Sequence, residues 1–152
     1  MLIAILLALS LIAMTFVFHF RVLLWLGRYA PRFKLRTETQ VLTIVLVLFF
    51  THLVEIGLYA IIYSWSVQGL ELGLFKGAPV NDLMNYLYYS GVIYTTLGLG
   101  DIHPEGHIRS ITAMEALNGF LLITWSASFT FLAMGHLWQW DRCGNGSSED
   151  KR

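Results

Sequence analysis

Three stretches of this chain are apolar for long enough to cross a bilayer, and the polar residues set within and between them carry most of the information. Met1 to Phe20 is an almost unbroken apolar run. At about 1.5 Å per helical residue it covers a hydrocarbon core of about 30 Å. It has no basic start, no short apolar segment and no small-residue cleavage site, so it reads as a retained span, not a removed signal peptide. His19 and Arg21 close the run, and both are expected at the interface, with Trp25 in the aromatic belt. A second span is expected from Val41 to about Trp65. A third runs from Ser110 to about Trp138, closing on His136, Trp138 and Trp140.

The segment between the second and third spans is different. Gly69, Gly73, Gly77 and Pro79 break any regular element over residues 66–80, which predicts an irregular external turret. Asn81 or Asp82 is then placed to cap a helix through Leu83, Leu87 and Tyr88 to about Tyr94, too short to cross the membrane. Next comes Thr95-Thr96-Leu97-Gly98-Leu99-Gly100-Asp101. Gly98 and Gly100 accept φ > 0 at little steric cost, so successive carbonyls need not alternate direction as in a strand. Backbone of this kind is tolerated at membrane depth only where protein buries it or water lines it. The predicted fold is therefore an all-α integral membrane protein with three transmembrane helices and one re-entrant loop. Its parts are a first span over 1–27, a loop over 28–40, an outer helix over 41–65, a turret over 66–80, a re-entrant helix over 81–95, the glycine-rich loop over 96–101, an inner helix over 110–138 and a polar tail over 139–152.

Composition agrees: 56% hydrophobic and 13% charged residues, with a mean hydropathy of +0.61, exclude a water-soluble domain. The net charge of zero hides a local asymmetry. Arg28, Arg32, Lys34 and Arg36 cluster with no acid before Glu38, which places this loop in the cytoplasm, the N-terminus outside and the C-terminus inside. The same cluster suits anionic lipid, making membrane lipid an expected partner. Glu71, Asp82, Asp101 and Glu105 outnumber Lys76 and Arg109 on the predicted outer surface, which would concentrate cations there. His103 and His107 flank Glu105 as solvated loop residues or as a site of external pH or divalent-metal sensitivity. The single cysteine, Cys143, excludes an intrachain disulfide. No basic nucleic-acid patch, nucleotide loop, activated nucleophile or voltage-sensing arginine series is present, and the tail is expected to be disordered. The chain reads as a non-enzyme without a cofactor and without a folded soluble regulatory domain.

The run Thr-Leu-Gly-Leu-Gly-Asp resembles the potassium channel signature, usually Thr-Val-Gly-Tyr-Gly-Asp, and the likeness extends from Asn81 to about Trp138. The resemblance implies a filter in which the carbonyls of Thr96, Leu97, Gly98, Leu99 and Gly100, with the Thr96 hydroxyl, replace the water shell of potassium. Thr95, Asp101 and Tyr89 would support it, Tyr89 bonding Asp101 from the place where the family often has tryptophan. Val92 stands where some members carry an acid that holds this aspartate. Leu99 replaces an aromatic strut and is similar to the second pore loop of some two-pore-domain potassium channels. Function is accordingly read as passive conduction of potassium, or less selectively of monovalent cations, by a homotetramer. The alternative is a non-conducting membrane sensor or subunit with a vestigial pore loop. Gly119 falls about where the family has a hinge glycine, or else is a packing glycine. Phe120, Ile123, Ala127 and Phe131 would then face the conduction path, with Asn118 and Trp125 off the axis.

Ionisable groups inside the spans complete the picture. His52 and Glu55 share a face of the second span, continued by Tyr59 and Tyr63. They are read as a hydrogen-bonded pair that docks the helix, or as a proton-sensitive latch. A metal site is the least favoured reading, since two ligands on one helix are too few without partners that the sequence does not show. Glu115 on the third span comes level with Tyr59 and Tyr63, for a hydrogen bond or for support of the filter from behind. Trp125 or Ser126 lies at the depth of His52. An electron-transfer protein using His19, His52 and His136 as haem ligands is the weakest reading, since paired histidines at matched depth are needed and His52 is expected near mid-membrane while His136 is expected near the inner face.

Overall fold

A computed structural model describes residues 1–29, 36–80 and 82–138. Its elements in order are α1 (Leu2–Tyr29), α2 (Thr37–Gln68), β1 (Gly73–Gly77), α3 (Leu83–Tyr94), β2 (Ile102–Gly106) and α4 (Ile108–Trp138). Helices α1, α2 and α4 are long and apolar enough to cross a membrane. The protein is thus a helical membrane protein.

Because α1 is apolar on all sides, the stripe that packs inward is marked by size and polarity, not by hydropathy. Ala4, Ala8, Leu11, Thr15, His19, Leu23 and Leu26 are buried, at steps of three and four, and this stripe lies mainly against α4. Small residues at Ala4 and Ala8 allow close backbone approach, as membrane helix contacts generally require. α2 buries Thr51, Glu55, Tyr59 and Tyr63 along one side. It ends where the Gly69 amide bonds the Trp65 carbonyl at 2.8 Å. α3 starts at Asp82, whose side chain accepts from the Asn85 amide at 2.9 Å. At about 18 Å, it is too short to span the bilayer. The core between α2, α3 and α4 is built from tyrosines: Tyr59, Tyr63, Tyr86, Tyr89 and Tyr94 are all fully buried.

The turret departs from the sequence expectation. Its glycines permit a two-stranded antiparallel ribbon, β1 against β2, running from Gly73↔Gly106 to Gly77↔Ile102. A Cβ at Gly73 would sit 2.0 Å from the Glu105 carbonyl, so glycine here allows two strands to close, where breaking of structure was expected. The ribbon ties the end of α2 to the segment after the glycine-rich loop and drops Phe75 onto Tyr89, ring centroids 4.5 Å apart. Lys76 and Glu105 pair across it at 2.8 Å on the exposed side. The helices also overrun their predicted bounds, α1 by continuing past residue 27 and α2 at both ends. The expected roles of Arg32 and Lys34 in the basic loop, of Asn81 as a cap, and of Trp140, Cys143 and the tail lie outside the described residues.

Candidate pore loop and its support

At the end of α3 the chain turns on itself. The Thr95 hydroxyl bonds the Gly91 carbonyl at 2.7 Å, and the amides of Thr96 and Leu97 reach Ile93 and Val92 carbonyls at 2.9 and 3.0 Å. From there φ is +58° at Thr96, +58° at Gly98 and +79° at Gly100, while Leu97 and Leu99 stay out of the positive region. Alternating φ sign on successive residues rotates the peptide planes so that their carbonyls can share one side, which a strand cannot do. Threonine in the left-handed region costs roughly 1–2 kcal/mol relative to the right-handed one. Glycine at 96 would relieve that strain, so the hydroxyl is retained against a conformational cost. Leu97 and Leu99 are 64% and 57% exposed, and nothing lies within 4 Å of a Cβ built at Gly98 or Gly100. Within one chain, this loop has an open face.

Asp101 closes the loop, but not through Tyr89 as the sequence resemblance implied. Its carboxylate accepts from Tyr88 at 2.8 Å, while the Tyr89 hydroxyl meets Thr112 on α4 at 3.0 Å. One residue is about 100° of helix rotation, which turns Tyr89 inward and leaves Tyr88, 42% exposed, facing the loop. The Asp101 carbonyl accepts from Ala78 at 3.0 Å, so the turret also holds this corner. If Tyr88 steadies the loop, Tyr88→Phe should hasten the decay of ion flux during sustained conduction, and Tyr89→Phe should do so less. Equal decay in both would remove Tyr88 from this role.

Gly119 sits on α4 where a Cβ would lie 2.2 Å from the Tyr94 carbonyl oxygen. α4 stays helical through it. Its glycine therefore lets α4 touch the last turn of α3 directly beneath the loop. Phe120, Ile123, Ala127 and Phe131 are on the exposed side of α4, opposite buried Asn118 and Ser126. Asn118 donates to Thr15 on α1 and to Tyr59 on α2 at 2.9 and 3.1 Å. Trp125 faces α1, stacking on Phe20 with centroids 6.0 Å apart.

Two buried carboxylates brace α3 from behind. Glu115 accepts from Tyr63 on α2 and from Ser90 on α3, the latter at 2.6 Å. Ser90 is also 2.9 Å from the Ile56 carbonyl. Glu55 accepts from Tyr94 at 2.6 Å and faces His52 at 3.1 Å. The Tyr94 hydroxyl is the link between α3 and Glu55. His19 is the larger correction. It was expected at the membrane interface, but it is fully buried, with Nδ1 3.0 Å from Glu55 and Nε2 3.0 Å from Ser126. The helix continues another ten residues to Tyr29, so His19 is interior to the span. Thr15 four residues earlier on the same face was the readable signal: two polar residues one turn apart in an apolar span mark its protein-facing side.

Residues 43–135, more than half of the chain, match the family model described as "Ion channel". The chain belongs to this ion channel family. No curated protein and no solved structure matches it significantly. The matched region begins within α2 and ends near the close of α4, taking in the ribbon, α3 and the glycine-rich loop, and leaving α1 outside.

Proposed function

We propose that this ion channel is a homotetrameric potassium channel of the cell membrane, conducting passively through the carbonyls of Thr96, Leu97, Gly98, Leu99 and Gly100. The observation that carries the reading is the strict alternation of positive φ at Thr96, Gly98 and Gly100. Such a backbone offers a column of oxygens, and one column cannot surround an ion. Four chains about an axis can, and the open face of the loop is where the other three would stand. α3 is then a pore helix whose partially negative C-terminal end points at the ion path and favours a cation there. The loop over 28–40 is cytoplasmic, the N-terminus is outside, and the apolar surfaces of α1 and α2 meet lipid. Phe120, Ile123, Ala127 and Phe131 line an apolar lower path that closes by dewetting.

The test is cation flux through purified protein in liposomes under a potassium and then a sodium gradient, with Gly98→Asp as control. Potassium flux well above sodium flux, abolished in the control, is expected. Aspartate at 98 would place a side chain where φ is +58° and a charge beside the oxygen column. Equal fluxes would make the protein a nonselective cation pore, and no flux at any pH or voltage would favour a non-conducting subunit. Leu99 replaces the family's bracing aromatic, so Leu99→Tyr should raise the potassium-to-sodium permeability ratio. An unchanged ratio would show that residue 99 does not brace the filter.

A further inference from the structure

All four helices meet in a cluster around Glu55, α4 through Ser126, and the donors and acceptors of this cluster balance only if it carries one additional proton. Glu55 Oε1 faces His19 Nδ1 at 3.0 Å, and Oε2 faces His52 Nδ1 at 3.1 Å. The other two ring nitrogens converge on one hydroxyl: Ser126 Oγ is 3.0 Å from His19 Nε2 and 3.1 Å from His52 Nε2. These contacts close a ring, Glu55 to His19 to Ser126 to His52 and back to Glu55. Glu55 and His19 are fully buried, while the His52 side chain keeps 17% of its surface exposed, and at all four ring contacts both partners are protein atoms.

A ring of four contacts needs four protons, one in each. An ionised carboxylate brings none, each neutral imidazole brings one, and the serine hydroxyl brings one. The count is one short. Two acceptors would then face each other at one contact, and the buried carboxylate would keep an uncompensated charge in the membrane interior. Tyr94 does not repair this. Its single proton, if turned to His52 Nδ1 at 2.9 Å, would be withdrawn from Oε2. One proton added to the pair of imidazoles supplies the fourth contact and cancels the charge together. We infer that His19, His52, Glu55 and Ser126 form a buried proton-binding site, in which one imidazolium is shared between two histidines across the serine hydroxyl.

The site joins α1, which lies outside the family-matched region, to the base of the pore loop. Tyr94 from α3 bonds the same carboxylate, and its carbonyl lies against Gly119 just before Thr95 and Thr96. Among the described residues, no other charged side chain enters the ring. Trp125 of α4 packs on His19, Tyr59 of α2 is held by Asn118, Glu115 of α4 is engaged by Tyr63 and Ser90, and Arg21 of α1 is exposed. The ligand atoms of His19, His52 and Glu55 lie within 4.8 Å of one another, as a metal would also need, but every ring heteroatom here already has a protein partner. Gaining or losing a proton leaves the ring with a net charge in the membrane interior. α1 is then held less firmly to Ser126, and the clamp on Tyr94 changes.

Glu55→Gln is the informative variant. A glutamine amide brings the fourth proton itself, so the ring closes with two neutral imidazoles and the fold is kept. Nitrogen-15 spectra of histidine-labelled protein in liposomes, with exposed His103, His107 and His136 changed to Asn, count protonated ring nitrogens directly. At neutral pH three of the four are expected protonated in the parent and two of four in Glu55→Gln. Two of four in the parent with an ionised Glu55 carboxyl, or equal counts in both proteins, would overturn the site. One equivalent of zinc held by the parent and lost in Glu55→Gln would also overturn it, by giving the nitrogens to a metal. The consequence for gating rests on the channel reading, whereas the nitrogen count does not. Flux should pass through a maximum with pH in the parent and vary less in Glu55→Gln. Equal pH profiles would show the site is structural and separate from gating.

Discussion

Gly119→Ala should abolish most ion flux and lower the melting temperature of the protein, while Gly57→Ala, a glycine of α2, should leave flux near its starting value and the melting temperature unchanged or slightly raised. The added Cβ at 119 would sit 2.2 Å from the Tyr94 carbonyl oxygen and 2.9 Å from its carbonyl carbon. These are backbone atoms of α3 and have no rotamer to escape through. α4 must draw back, and overpacking of this kind typically costs about 1–3 kcal/mol. The displaced contact is one residue before Thr95, so loss of flux should accompany loss of stability. At Gly57 nothing lies within 4 Å of the new methyl, and alanine is favoured over glycine in a helix by up to about 1 kcal/mol. A hinge at Gly119 would behave differently. Alanine would then stiffen α4 and alter gating while the melting temperature held. Paired thermal melts and flux assays on the two variants separate packing from hinge.

Gly119 also shows how far the sequence carries the architecture. Its place relative to the glycine-rich loop was legible, but whether it bent or touched was not, because a glycine lacks a side chain that would declare a partner. The three spans and the short helix were readable from run length alone, and the positive φ of Gly98 and Gly100 from residue type, whereas the positive φ of Thr96 was not, because a side chain disfavours that region. The inward face of α1 was harder. In water an apolar stripe would mark it, but lipid is as apolar as a protein core, so hydropathy around α1 carries no direction. Only Thr15 and His19 pointed inward, and His19, read with Arg21, looked like the end of the span. Tyr88 and Tyr89 were indistinguishable by type, and only the true start of α3 fixes which one meets Asp101. The β ribbon was hidden because the glycines that permit its close approach are the same residues that usually end structure.

Glu115→Ala should destabilise the protein strongly and reduce flux, whereas Glu115→Gln should be tolerated. Glu115 is fully buried on α4 and gathers Tyr63 of α2 and Ser90 of α3 onto one carboxylate. Alanine removes the acceptor and leaves a cavity among three helices. The hydroxyls have fallback acceptors, Ile56 carbonyl at 2.9 Å for Ser90 and Thr112 at 3.3 Å for Tyr63, so the hydrogen-bond loss is partly offset. The cavity is not offset, and large-to-small changes at buried sites cost about 2–5 kcal/mol. Glutamine keeps the volume. Its carbonyl accepts from Tyr63, and its amide donates to Ser90, whose own proton goes to Ile56. If the negative charge of Glu115 were needed for conduction, the glutamine variant would melt like the parent yet pass fewer ions. Matching flux and melting temperature in Glu115→Gln, with both lowered in Glu115→Ala, would establish Glu115 as a buried strut that fixes α3 between α2 and α4.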